Sequence, residues 1–136
     1  MGFRIRRVDY YYATIDDLPE RGAKVLADLA EGGVNLLAFA AVPSGARTQL
    51  TLFAEDDATL EAAARGAGLT LDGPYPALLV QGDDELGALA RIHTVLARAD
   101  VDVFASSGVT DGRGAFGYVV YLRQGDIAKA ESALGL

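Results

Sequence analysis

The chain has no cysteine and no tryptophan. The missing thiols exclude disulfides, thiolate zinc sites, iron–sulfur clusters and a cysteine nucleophile. Histidine occurs once, at His93, with no serine or acidic partner at a motif spacing, so neither a catalytic triad nor a histidine-rich metal site can be assembled from it. Long apolar runs are also missing: the longest, residues 34–42, is interrupted by Asn35 and is far shorter than the ~20 residues a membrane-spanning helix needs. The basic start, with Arg4, Arg6 and Arg7, leads into a polar strand-like segment instead of an apolar signal core, which gives the expectation of a cytoplasmic protein. Positive charge is scarce, with 12 Lys and Arg against 19 Asp and Glu and a net charge of −7. That balance disfavours tracking of a phosphate backbone. The arginine cluster reads as a solvated strand edge that discourages edge-to-edge pairing. No nucleic-acid partner, membrane partner or cofactor is expected.

What remains is a globular composition, 51% hydrophobic and 23% charged, in 136 residues, enough for one ordinary domain or two small ones. An internal repeat decides between them. Residues 9–69 superpose on 76–136 without a gap: Asp16-Asp17 falls on Asp83-Asp84, Leu29 on Leu96, Val34 on Val101, Val42 on Val109, Gly45 on Gly112 and Gly68-Leu69 on Gly135-Leu136. Conservative pairs such as Lys24 with Arg91 and Val25 with Ile92 hold the same register. The chain therefore reads as a duplicated unit, residues 1–73 and 74–136.

Periodicity gives the content of each unit. Residues 8–15 are rich in tyrosine and β-branched side chains and predict a strand, broken by Asp16-Asp17-Leu18-Pro19. Helical spacing follows over 21–32, with Val25, Leu26 and Leu29 on one face and a glycine stop at Gly32-Gly33. A strand over 34–42, a turn at Pro43-Ser44-Gly45 and a strand over 48–54 read as a hairpin. Asp57 is the expected cap of a helix over 58–67, and a short strand over 69–72 closes the unit as βαββαβ. The second unit repeats the order with strands at 77–81, 101–109 and 115–122 and helices at 87–99 and 126–134. Its end at Leu136 matches Leu69, so it has no fourth strand of its own. The surplus residues 3–7 are expected to fill that edge or to pair with another chain, and 73–76 reads as a short linker. The expected fold class is α+β, two ferredoxin-like units in tandem.

Local motifs narrow the reading. Asp84-Glu85-Leu86-Gly87-Ala88-Leu89, then Ile92, Leu96 and Val101-Asp102-Val103, resembles the ACT-domain pattern of a polar loop, Pro-Gly-x-Leu, a helix and a Gly-Ile-Asn-Ile-like strand start. Asp17-Leu18-Pro19-Glu20 and Gly33-Val34-Asn35-Leu36 resemble it at the same spacing in the first unit. Each unit departs from the pattern differently: the first keeps the proline and the asparagine but has Glu20 for the glycine, and the second keeps Gly87 but has Leu86 and Asp102. The resemblance implies a regulatory module that binds a small amino acid or related metabolite where two units meet. It implies two pockets, one of Gly82, Asp83, Asp84, Leu86 and Gly87 with Asn35, the other of Asp16 and Asp17 with Asp102. The first is favoured, since helix-start amides at Gly87 suit a carboxylate, whereas Glu20 would repel one. An assembly module without ligand is the alternative reading; an enzyme is not expected.

Other features have plainer explanations. Asp16-Asp17 and Asp83-Asp84 precede helices and could cap them. His93 lies beside the Leu89, Ile92 and Leu96 stripe, at a core margin. Ser106-Ser107-Gly108 falls inside a strand and lacks the strand–turn–helix setting of a nucleophile elbow. Tyr10-Tyr11-Tyr12 places rings on both faces of a strand, for packing. Strand 34–42 is apolar on both faces, which predicts that the second face is covered by the other unit or by another copy, as in a homodimer.

Overall fold

The computed structural model describes residues 3–136, arranged as β1 (Phe3–Asp16), α1 (Pro19–Glu31), β2 (Leu36–Ser44), β3 (Arg47–Ala54), α2 (Asp57–Gly66), β4 (Asp72–Asp83), α3 (Ala88–Arg98), β5 (Val103–Thr110), β6 (Ala115–Leu122) and α4 (Ile127–Leu134), with a 3₁₀ turn at Gln124–Asp126. This is the α+β tandem of two ferredoxin-like units, the second without a fourth strand of its own. Contacts divide the chain into an N-terminal unit, Asp9–Tyr75, and a C-terminal unit made of Pro76–Leu136 and the start of β1 up to Val8.

In the N-terminal unit the strand order is β2-β3-β1-β4. β1 and β3 pair antiparallel, with Tyr11 opposite Leu52 and Ala13 opposite Leu50, and β2 pairs with β3 across the Gly45 turn. The period-two alternation of β1 sends Tyr11, Ala13 and Ile15 to the helix side, where they bury with Val25, Leu29, Leu50, Leu52 and Leu60. Gly32 sets how closely α1 and α2 approach: a Cβ there would lie 2.6 Å from the Cβ of Ala63. The cap of α2 is Asp56, whose carboxylate accepts from the Thr59 N–H at 3.1 Å. Asp57, the residue expected in that role, stands one position inside the helix.

In the C-terminal unit the order is β1-β4-β6-β5, with Leu78 opposite Val120 and Val80 opposite Tyr118. Leu78, Val80, Ile92, Leu96, Val120 and Leu122 form its core, and Phe3 and Ile5 of β1 pack against it. The Phe3 ring meets Phe116 edge-on at 5.8 Å. The N-terminal extension thus sits at the edge where this unit lacks a strand.

The presumed linker 73–76 is strand, since β4 runs unbroken from Asp72 to Asp83. Pro74 and Pro76 have the fixed φ of extended backbone, so they fit a strand wherever their missing N–H is not needed. The expected strand over 69–72 is irregular until Asp72.

Candidate functional site

The residues singled out in the second unit lie where β4 ends and α3 begins. Gly82 and Asp83 finish β4, paired with Phe116 and Ala115 of β6. The Asp84 N–H donates to the Gly114 carbonyl at 2.8 Å, which ties the loop to the β5–β6 turn. That turn is itself fixed, because Asp111 Oδ1 accepts the N–H groups of Arg113 at 2.6 Å and Ala115 at 3.1 Å. The Arg113 and Ala115 amides, in that order, hold the Asp111 carboxyl below the usual carboxylate range.

Gly87 caps α3 at φ 83°, a left-handed conformation that a Cβ would strain, and it contributes no side-chain cap. The Ala88 N–H turns back to the Glu85 carbonyl at 3.1 Å, whereas the N–H groups of Leu89 and Ala90 have no backbone acceptor among the described residues. Beside this helix start lies a groove of about 560 Å³ within the C-terminal unit. Asp84, Leu86, Gly87 and Leu89 form one wall, and Val109, Thr110 and Phe116 the other. Leu86 is fully exposed at 102%. Gly82 and Asp83 line the adjoining groove, of about 660 Å³, with Arg4 and Gln81.

The remaining predicted residues are held in other ways. Asp102 is ion-paired with Arg123 at 3.0 Å, and its N–H is taken by Asp126. In the N-terminal unit, the Asn35 amide donates to Glu55 at 2.6 Å, and Asp17 accepts from the Thr48 hydroxyl at 3.4 Å. The structure therefore gathers Asp84, Leu86 and Gly87 at one groove and pins Asp102 by an ion pair. None of the four loop aspartates caps a helix: α1 is capped by Leu18 and α3 by Gly87, both without a side-chain hydrogen bond. His93 Nε2 meets the Tyr118 hydroxyl at the core margin and is not part of the groove lining.

Sequence reasoning missed two contributors. Glu85, next to Asp84, pairs with Arg91 at 3.0 Å, and Arg91 also lies over the Phe3 ring. This neutralises a carboxylate that would otherwise oppose an anion at the helix start. The second is the wall of Val109, Thr110 and Phe116, which comes from distant strands and leaves no local signal at the loop.

The fold is shared with solved structures. Protein BT0572 from Bacteroides thetaiotaomicron superposes with a TM-score of 0.82 at 15% identity, over 96% of this chain and 88% of that one. The ligand-free regulatory subunit of aspartate kinase from Thermus thermophilus superposes at 0.68 and 15% identity, over 99% and 95%. The corresponding subunit from Thermus flavus gives 0.60 at 17% identity, over 99% and 95%. The chain has the tandem ACT-domain fold. No protein-family model matches the sequence, and no curated protein matches it either. Among the described residues no group of three or more His, Cys, Asp or Glu is placed to hold a metal, and no helix is long and apolar enough to cross a membrane.

Proposed function

We propose that this tandem ACT chain is a cytoplasmic regulatory module that binds an amino acid or related small metabolite where ACT units meet and performs no chemistry itself. The observation that carries the reading is the start of α3: amides of Leu89 and Ala90 without backbone acceptors, a left-handed Gly87 that leaves the approach open, and Asp84 beside them on one groove. The ligand carboxylate rests on those amides, and its ammonium faces Asp84. The likeness to regulatory subunits of aspartate kinase supports the class of protein, through fold.

Thermal shift against a panel of free amino acids, followed by calorimetry, tests this. Loss of a charged partner typically costs ~1.5–3 kcal/mol, so Asp84→Ala is expected to weaken binding by about tenfold or more. Asp17→Ala, in the matching loop of the N-terminal unit and outside the groove lining, is expected to leave it intact. Equal losses would refute the asymmetric site.

The assembly reading has its own support. β2 and β5, the outer strands of their units, expose Phe39 and Val42 and, on β5, Phe104 and Val109, the last at 75%. Such residues on an open strand edge suit pairing with a second copy. If no amino acid binds, a homodimeric scaffold is the function that remains.

A further inference from the structure

Within the N-terminal unit a cavity of about 400 Å³ opens between the end of β1, the first turn of α1, the start of β3 and the residues 68–72. Its lining includes two guanidinium groups, Arg21 and Arg47. In a chain with net charge −7 such a pairing needs a reason. Arg47 is held in place: its Nη2 donates to the Thr14 carbonyl at 3.2 Å, and its Nε lies 3.6 Å from Asp16. A guanidinium has five N–H donors, so most of its capacity is unused. Arg21 is partly buried, and its side chain makes no hydrogen bond or ion pair among the described residues. The other carboxylate of the lining, Asp72, is engaged by the Tyr75 hydroxyl at 2.7 Å, and Glu20 is not part of the lining.

The duplication supplies a control. At the positions matching Arg21, Arg47 and Gln49 the C-terminal unit has Ala88, Gly114 and Phe116. Both units build the same frame, so folding does not require arginines at these two places. We infer that this cavity is a binding site for a small carboxylate, gripped by the fork of Arg21 with Arg47 as second donor and with Gln49 and Thr70 completing the polar lining. Its volume falls in the range of about 300–1,000 Å³ usual for small-molecule sites. It shares no lining residue with the groove at α3, so either site can fail without the other.

The test is a titration of the full ¹⁵N-labelled chain with sodium succinate, with sodium phosphate and sodium chloride run at matched ionic strength. Saturable shifts of the Arg21, Gln49 and Thr70 amides with succinate are expected. Arg21→Gln should weaken the response by about tenfold or more, with Arg21→Lys intermediate, because lysine keeps the charge and loses the fork. Should Arg21→Gln fail to fold by thermal melting, Arg21→Lys and Arg47→Gln carry the comparison. Saturation by phosphate but not by succinate would overturn the carboxylate assignment. A response equal to that of chloride, or one untouched by the arginine substitutions, would overturn the site.

Discussion

Asp57 stands in the first turn of α2, where a carboxylate ordinarily gains from the free amides of the helix start. Its pKa is nevertheless raised above the ordinary 3.8, first by loss of solvation and then by Asp9 and Glu61 beside it. The folded chain binds this proton more tightly than the unfolded chain does. The contribution to stability is thus complete below the unfolded value and is lost as pH rises through the raised folded one. Asp57→Asn should therefore raise the melting temperature near neutral pH and leave it unchanged in acid; an equal gain at both pH values would contradict this. Asp111 and Asp126 act in the opposite sense. Backbone amides hold both carboxyls below their ordinary range, so their contribution is present above the unfolded value and is lost as pH falls through the folded one. Burial and the hydrogen bond to Glu61 push the Tyr11 hydroxyl above its ordinary range.

At the scale of the element, caps and close approaches decide how well each helix is seated. Asp56→Ala removes the acceptor of the Thr59 N–H and is expected to cost about 1 kcal/mol, read from denaturant unfolding. Asp57→Ala would not reproduce that loss, since Asp57 does not cap. Gly32→Ala drives a methyl group against Ala63 and should cost about 1–3 kcal/mol, by overpacking α1 on α2. These elements also show what the sequence could tell. Helical spacing placed Val25 and Leu29, then Ile92 and Leu96, in the two cores, because burial on one face enforces the period. Sequence alone does not separate Asp56 from Asp57 as the cap of α2, because the two are equivalent by type and only the backbone conformation distinguishes them. The linker reading failed at Pro74 and Pro76, which break helices and suit extended chain, so composition could not separate linker from strand. The loop at Asp84 to Gly87 was legible from its motif. Its far wall of Val109, Thr110 and Phe116 was not, since it depends on strands brought together by the fold.

For the molecule as a whole, the decisive feature is that β1 serves two cores. Tyr11, Ala13 and Ile15 bury in the N-terminal unit, and Phe3 and Ile5 pack on the C-terminal unit. The C-terminal unit consequently packs its core with residues far from it in sequence, a long-range contact that is costly to close. Ile5→Ala should destabilise the fold by about 2 kcal/mol or less, because Ile5 is only partly buried and full burial sets the upper range. Hydrogen exchange gives the sharper test. If β1 is a structural strand of the C-terminal unit, the Ile5 amide should exchange as slowly as those of the strands around it, such as Val80 and Val120, and should open together with them. Rapid exchange at Ile5 beside slow exchange at Val80 would show that the extension is frayed and that the C-terminal unit stands on three strands. Repeating the measurement across protein concentrations separates the role of a second copy. Protection confined to β1 should not depend on concentration, whereas protection along the outer strands β2 and β5 should rise as dimers form.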